Sequence, residues 1–555
     1  MRTLTLAFVY ENLTAFRQQL DLLPRSPSVT DLILFHREEV SDEERAAMTH
    51  FVRREMLADR AGGGQQDPLR FIRCGEFFSA EAVNRLLELW TSDYLVLLLG
   101  RGLVEVSDRS LERLLDVADD TGAGIVYADF WQHEGGRLQE RRLIEYQPGS
   151  LRDTFDFGPV MVLSRRVVHA VRAALGPVDP RWRWGGLYDL RLKISSHAPI
   201  VHVPEPLSLC WPRLTVASDA EPTDAPEDPL FAYVKPENRA YEQEMEEIAT
   251  AHLRRIGAYL EPVFAPIPLP EHDFPVLASV VIPVRNRART IGDALRSALA
   301  QRTTFSFNVI VVDNFSTDGT SEIIEQMRRE DDRLLHRIPS RRDLGIGGCW
   351  NEAIFSPSCG LFAVQLDSDD LYADADVLQK IIAAFYAPEA PPAAPEEARS
   401  RAPRYALVIG SYRTVNFDGE PIPPGVVDHR EWTPDNGRNN ALRVSGFGAP
   451  RAFYVPLLRR VGFPNVSFGE DYAVCLRLSR HYEVGRIYEP LLLVRRWEDN
   501  TDRNLTPERA NRYEAYKDWL RTVEILARQK GEAARTFQSA RDAQAGKPAP
   551  QESAT

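Results

Sequence analysis

A chain of 555 residues is longer than one ordinary hydrophobic core organises, and its length predicts two to four domains. Hydrophobic residues at 44% and charged residues at 26% describe a globular protein with sizeable cores, while a formal net charge of -13 excludes a nucleic-acid groove, which would need a basic stripe. The five cysteines, Cys74, Cys210, Cys349, Cys359 and Cys475, are scattered and form no CxxC, which excludes a disulfide framework or zinc knuckle and fits a reducing cytoplasm.

The N-terminal run MRTLTLAFVYENL reads as the start of a strand and lacks the apolar core and cleavage site of a signal peptide. The longest apolar stretches, such as Tyr94 to Leu99, are far short of a bilayer span, so no integral membrane segment is expected and any membrane contact should be peripheral. Residues 1–215 alternate apolar strands with amphipathic segments, and Ser218 to Pro229 (SDAEPTDAPEDP) then has the composition of a linker. Between Glu237 and Leu260, Tyr241, Met245, Ile248, Leu253 and Ile256 fall near helical spacing, which predicts a connecting helix within a 216–270 linker region. A second α/β pattern occupies 271–505, interrupted at 387–403 (APEAPPAAPEEARSRAP) by a segment too poor in apolar residues to build a core, expected as a flexible insert. Pro507 opens a further helix over 506–530, with Tyr513, Tyr516, Leu520, Val523 and Leu526 as its stripe, and 531–555 reads as a disordered tail.

The two α/β halves repeat one another. WGGLYDLRLKIS from Trp184 lies over FGEDYAVCLRLS from Phe468, and EPLSL at Glu205 keeps the same offset to EPLLL at Glu489. VNRLLELWTSDYLVLLLGRG from Val83 lies over WNEAIFSPSCGLFAVQLDSD from Trp350, which sets Asn84 on Asn351 and Leu99 on Leu366.

Chemistry concentrates in the second half. The apolar run LFAVQL ends abruptly in Asp367, Ser368, Asp369 and Asp370, at a strand's C-terminal end, where open α/β sheets bind ligands. Three carboxylates so close repel one another, so a partly buried cluster must protonate, stay wet or hold a cation. Two readings stand at this point, a divalent metal carrying a phosphate-bearing ligand and a solvated turn that caps the next helix. Asp313 also ends a strand, where it either caps the turn or accepts hydrogen bonds from a base or sugar. Glu470 and Asp471 open an amphipathic helix, either as adjacent carboxylates for general base work or as charges complementing the helix dipole. Gly345 to Gly348 lacks GxGxxG spacing and follows no strand, so it is not read as a dinucleotide fingerprint.

In their order, VVIPVRNRARTIGDALRSALAQ, VIVVDNFSTDGTSEII, QLDSDDLY and FGEDYAVCLRLS resemble the family 2 glycosyltransferases of the GT-A fold, over about Leu277 to Asn500. The resemblance implies two tandem GT-A-like domains, each a mostly parallel sheet flanked by helices, and an inverting, metal-dependent glycosyltransferase. It implies a nucleotide-sugar donor, a saccharide or lipid-linked acceptor, and Mg²⁺ or Mn²⁺, whose preference is for oxygen ligands. By match to the family pattern, Pro283, Val284, Asn286 and Asp313 line the nucleotide pocket, Asp369 binds metal, Asp367 binds ribose or metal, Asp471 is the base and Glu470 its neighbour. The family often carries a metal-binding histidine after the last core strand; Trp497 stands there, leaving Glu498, Asp499 or water to complete the shell and Arg496 to neutralise diphosphate. Cell-surface polysaccharide or glycoconjugate synthesis in the cytoplasm, peripheral to the inner face of the membrane, is the expected setting. The first half lacks every carboxylate assigned to the chemistry, since the repeat sets Gly100, Gly102 and Leu103 on the acidic run and Gly186 and Leu187 on Glu470 and Asp471. It reads as a degenerate copy, with Asp129 and Asp189 in solvated or capping roles and Trp182 and Trp184 either a sugar platform or core. The alternative function is a non-catalytic carbohydrate-binding scaffold with two GT-A-like domains.

Overall fold

The computed structural model of the chain describes residues 2–55, 68–99, 102–211, 238–394, 396–497, 500 and 505–544. The linker core at 218–229, Glu498 and Asp499 lie outside the described residues. The described chain forms two units. The first falls within Met1–Glu227, Arg239–Ile256 and Thr506–Thr522, and the second within Asp228–Asn238, Gly257–Leu505 and Val523–Thr555.

Among the described residues the first unit has nine strands: β1 (Leu4–Val9), β2 (Val29–His36), β3 (Leu69–Arg73), β4 (Tyr94–Leu98), β5 (Leu103–Glu105), β6 (Ile125–Glu134), β7 (Arg137–Arg141), β8 (Val160–Ser164) and β9 (Ile200–Trp211). They form one sheet in the order β3-β2-β1-β4-β8-β6-β9-β5, with β7 on β6. The second unit supplies β10 (Ala278–Val284), β11 (Phe307–Asp313), β12 (Leu334–Arg337), β13 (Phe362–Gln365), β14 (Leu371–Tyr372), β15 (Leu407–Val415), β16 (Pro421–Val427), β17 (Arg451–Tyr454) and β18 (Val484–Arg495). Their order is β12-β11-β10-β13-β17-β15-β18-β14, with β16 on β15, which is the first sheet again with every strand number raised by nine. The central strands are mostly apolar, with every residue of β11 and β13 buried, as expected of strands covered on both faces. Both sheets are mixed: in the second, β10 to β13 run parallel and β15 runs parallel to β18, while β17 is antiparallel to β13 and to β15, and the first sheet repeats this pattern.

The repeat extends to single hydrogen bonds. Asn84 and Asn351 each close a two-bond clamp on a backbone, Asn84 on Val178 at 2.8 and 3.2 Å and Asn351 on Phe463 at 2.8 and 2.9 Å. Ala80 N–H donates to Trp182 O as Gly347 N–H donates to Val466 O, both at 2.9 Å. The strand that follows is shifted. Tyr94, paired with Leu4, stands where Phe362, paired with Ala278, stands, so Leu366 matches Leu98, one residue from the ungapped expectation. The corrected register sets Asp367 on Leu99, Asp369 on Arg101 and Asp370 on Gly102, and the first half still offers no carboxylate.

Two expected boundaries move. The helix at Arg239–Arg255 belongs to the first unit, because Met245, Ile248, Ala249 and Leu253 are buried and Glu244 accepts the amides of Arg183, Trp184 and Gly185 at 2.8, 2.7 and 2.7 Å. The C-terminal helix runs Pro507–Gln544, through the Gly531 at which a tail was expected. A single glycine costs an exposed helix only about 1 kcal/mol, which the helix-forming residues around it offset. The 387–403 segment carries a 3-10 turn at Glu397–Ser400 with Ala398 fully buried.

Candidate functional site

The acidic turn is built by the end of β13 and held by the end of β18. Asp370 N–H donates to Asp367 O at 3.2 Å, closing the turn, and β14 then pairs with Leu492 and Leu493 of β18. Asp370 is buried and accepts the Arg495 amide at 3.1 Å, a locking role. Asp367 is half-buried and accepts Gln365 Nε2 at 3.0 Å. Burial, and behind it the neighbouring Asp369 charge, push the Asp367 carboxyl up to about 6 against the Gln365 hydrogen bond. Asp370 is driven well above the usual carboxylate range by burial and then by Asp369 and Asp367.

Opposite this turn's supporting strand stands the helix Glu470–Ser479, entered through Gly469 at φ 79°, a left-handed conformation suited to glycine. Glu470 is 8% exposed, and among the described residues its Oε2 has no hydrogen-bond partner. Burial, and then the adjacent Asp471, push it up to about 8. Asp471 is half-buried and pairs with Arg451 at 2.6 Å. Arg451, the first residue of β17, also donates from Nη1 to Gln365 Oε1 at 2.9 Å and from Nε to Phe447 O at 2.7 Å. The chain Asp367, Gln365, Arg451, Asp471 therefore ties the acidic turn to the Glu470 helix. Burial opposes the Arg451 charge, and Asp471, Cys475, Asp367 and Glu470 outweigh that and hold its pKa above the ordinary value.

Gln365 and Arg451 were not singled out from sequence. The available signal was Arg451 itself, the one charge in the strand RAFY, but its meaning depends on the β13–β17 pairing. The glycines at 345 to 348 serve packing: a Cβ on Gly347 would lie 2.0 Å from Pro464 O and 3.0 Å from Glu470 Cβ, and one on Gly345 would lie 2.5 Å from Val466 C. They let the helix Ile346–Ile354 lie against the segment that leads into Glu470. Asn351 is committed to its clamp on Phe463, and Arg342 is exposed over the Phe315 ring at 4.2 Å.

The ends of β10 and β11 carry the remaining predicted residues. Pro283 is half-buried opposite Val312, and Val284 is buried with its carbonyl accepting the Asn314 amide at 2.8 Å. Asn286 is exposed at φ 53°; its amide donates to Ser316 Oγ at 3.0 Å and its side chain accepts the Thr317 amide at 2.8 Å. Asp313 is fully buried and accepts from the Ser316 amide at 2.9 Å, from Ser321 Oγ and from His336 Nε2 at 3.4 Å. Burial works against its charge, and the hydrogen bonds from His336, Ser316 and Ser321 overcome that and hold it far below the usual carboxylate range. Both of its oxygens thus serve the turn. The neighbouring Asn314 is different: it donates to Leu344 O at 2.9 Å, but its buried Oδ1 has no partner among the described residues.

Trp497 is buried and donates its indole N–H to Asp369 at 3.0 Å, with Asn500 Nδ2 at 3.4 Å on the same oxygen. An indole N–H is a donor only, so the side chain at this position supports Asp369 and cannot itself be a ligand. Arg496 is half-buried, its amide bonded to Val415 O at 3.0 Å. Among the described residues no group of three His, Cys, Asp or Glu is arranged to hold a metal ion. The donors that do fit a cation are Asp369, one of whose oxygens has no partner among the described residues, and Asp367, with water or ligand oxygens for the rest of a shell.

In the first unit, Asp189 and Asp129 are buried, not solvated: Asp189 pairs with Lys193 at 2.8 Å and Asp129 with His202 at 2.7 Å. Trp182 is buried, and Trp184 meets the Tyr241 ring edge-on at 6.2 Å, which places both in packing and not on an open sugar platform.

Residues 279–395 match the family described as "Glycosyl transferase family 2", so the second unit carries a domain of that family. The chondroitin synthase of Pasteurella multocida (strain Pm70) is 29% identical over 173 residues, which is 30% of this chain and 17% of that protein, and the hyaluronan synthase of Pasteurella multocida is 28% identical over the same shares. The chain therefore matches only 17% of the length of either relative. Glycosyltransferase AglD of Haloferax volcanii is 37% identical over 98 residues, 17% of this chain and 15% of that protein. Among solved structures, S. aureus TarS in complex with UDP-GlcNAc aligns over 45% of this chain and 66% of its own at 22% identity and a TM-score of 0.34. Mannosyltransferase PcManGT from Pyrobaculum calidifontis, in complex with GDP-Man and Mn²⁺, aligns over 55% and 90% at 17% identity and a TM-score of 0.30. Among the described residues no helix is long and apolar enough to cross a membrane.

Proposed function

We propose that the second unit transfers a glycosyl group, with inversion, from a nucleoside-diphosphate sugar to a hydroxyl of a saccharide or lipid-linked acceptor. The observation that carries this reading is the Arg451 bridge, which joins a buried acidic turn to a carboxylate pair at a helix start. In the proposed reaction the acceptor oxygen attacks the anomeric carbon, its proton passes to Asp471, and the bond from that carbon to the diphosphate oxygen breaks. Arg451 keeps Asp471 paired and oriented. Glu470 is its neighbour in the site, with the unpartnered Oε2 available to an acceptor or sugar hydroxyl. Mg²⁺ or Mn²⁺ held by Asp369 and Asp367 would supply positive charge to the departing diphosphate. Asn286, Pro283 and Val284 frame the nucleotide pocket. Asp313 stiffens its floor, and the free Oδ1 of Asn314 is the better-placed acceptor for a base N–H. Arg496 adds charge toward the diphosphate.

The names of the Pasteurella relatives favour a saccharide acceptor and a role in cell-surface polysaccharide or glycoconjugate synthesis, in the cytoplasm and peripheral to the inner membrane face. Calorimetry of the full chain with UDP-, GDP- and dTDP-sugars, with Mn²⁺ or with chelator, tests the donor reading: one sugar nucleotide binds more tightly with metal. Asp471→Asn then abolishes transfer at unchanged donor affinity. Absence of nucleotide binding in every arm would sink the proposal.

A further inference from the structure

Three guanidinium groups and two aromatic rings are stacked beside the acidic turn, and nothing in the reaction above uses them. Arg289 lies 3.9 Å from the Phe417 ring centre and 5.5 Å from that of Trp497, Arg287 lies 5.5 Å from Trp497, and Arg495 lies 5.4 Å from Phe417. The two rings meet edge to face at 5.4 Å. Trp497 is fixed in turn by its indole bond to Asp369 at 3.0 Å and its amide bond to Asn500 at 2.7 Å. The loop carrying Arg287 and Arg289 is also pinned, since Arg287 N–H donates to Thr320 Oγ1 at 2.8 Å and Ala288 N–H to Asp318 at 3.0 Å. Trp497, against which Arg287 and Arg289 lie, is thus also the ring whose N–H holds Asp369.

The state of Arg289 and Arg495 points to an anion. Arg289 is exposed and, among the described residues, pairs with no carboxylate. Arg495 is 5% exposed; its Nη2 is paired with Asp293 at 3.0 Å, but its buried Nη1 has no hydrogen-bond partner. A guanidinium stacked on an aromatic face keeps its N–H edge free for a planar, two-bond contact with a phosphate, which an ammonium cannot reproduce. We propose that Arg289, with Arg287 and Arg495 beside it, forms a fixed cationic clamp for the diphosphate of the donor, built on Trp497 and Phe417. The clamp supplies from guanidinium groups positive charge that Trp497, as a donor, cannot bring by ligating a metal. The inference rests on the donor reading above.

The test measures binding of UDP and GDP, with UMP and GMP as controls, to the full chain by calorimetry in EDTA and again in Mn²⁺. For whichever base binds, Arg289→Gln weakens the diphosphate about tenfold in EDTA and leaves the monophosphate within twofold, and Arg289→Lys recovers only part of the loss. Arg289 is exposed, so both variants fold, which a thermal melt equal to wild type verifies. Equal diphosphate affinity of wild type and Arg289→Gln overturns the clamp while the donor reading stands. No diphosphate binding by wild type in either buffer overturns the donor reading and the clamp with it.

Discussion

Glu470→Gln should stabilise the protein, and by an amount that grows with pH. The wild-type carboxyl is pushed from its ordinary 4.5 up to about 8, because it is 8% exposed, its Oε2 has no partner and Asp471 is adjacent. A group whose pKa is raised by folding keeps its full contribution below pH 4.5 and loses it steadily as pH rises to about 8, where the loss levels off. Each unit of difference is worth about 1.4 kcal/mol, so at pH 7 the ionising carboxyl withdraws about 3 kcal/mol that a neutral amide of the same shape does not. Asp367 titrates in both proteins and largely drops out of the difference. Scanning calorimetry of full-length wild type and variant should therefore show nearly equal melting temperatures at pH 4.5 and a rise on the order of 5 °C for the variant at pH 8. A constant difference across that range, or a variant less stable at pH 8, would refute the picture of a buried acid with an unmet oxygen.

Asp369→Ala should remove most of the metal-dependent part of nucleotide affinity and leave metal-free binding nearly unchanged, a split that calorimetry with and without Mn²⁺ resolves. Trp497→His exchanges an indole donor for a side chain that can ligate metal. The metal-dependent gain in affinity should rise roughly tenfold while the melting temperature falls with the lost ring packing. Asn351→Ala breaks both bonds of the clamp on Phe463 and should destabilise the chain by about 2 kcal/mol, measured by urea unfolding, with donor affinity intact. Lost donor binding at full stability would instead make Asn351 a ligand contact.

The candidate site was legible where it is local in sequence. The acidic turn announces itself because an apolar strand ends in three acids within four residues, and Glu470 and Asp471 do so because a glycine and a helical stripe frame them. What escaped depends on partners distant in the chain. Arg451 gains its role only when β17 runs antiparallel to β13 and brings it to Gln365. Asp313 carried the stronger sequence signal, an acid at a strand end, yet Ser316, Ser321 and His336 absorb its oxygens and leave Asn314 with the open one. The repeat was visible in register at the Glu470 helix and at Asn351, but not along β13, because the second half carries one more residue between the Asn351 helix and that strand. An ungapped comparison cannot show such an insertion. The helix at Arg239–Arg255 looked like a connector because its stripe is short, and the three amides that Glu244 accepts are formed with a segment more than fifty residues away.

The two sheets share one topology, so their differences isolate what a retained site requires. At the start of the equivalent helix the first unit has Gly186 in place of Glu470, and the backbone closes on it: a Cβ there would lie 2.5 Å from Ser79 C and 2.6 Å from Ala80 N. The amides just before that helix, Arg183 to Gly185, are filled by the Glu244 carboxylate, so this helix entrance is a packed joint. The second unit does the reverse. It uses Gly347 to make room for Glu470 and then buries that acid with one oxygen unmet, beside a second carboxylate and a single arginine. Such an arrangement lowers stability, and the first unit shows that this fold does not need it. Its place beside Asp471, with the buried Oδ1 of Asn314 likewise unpartnered among the described residues, is what the proposed donor and acceptor would offset by meeting those atoms.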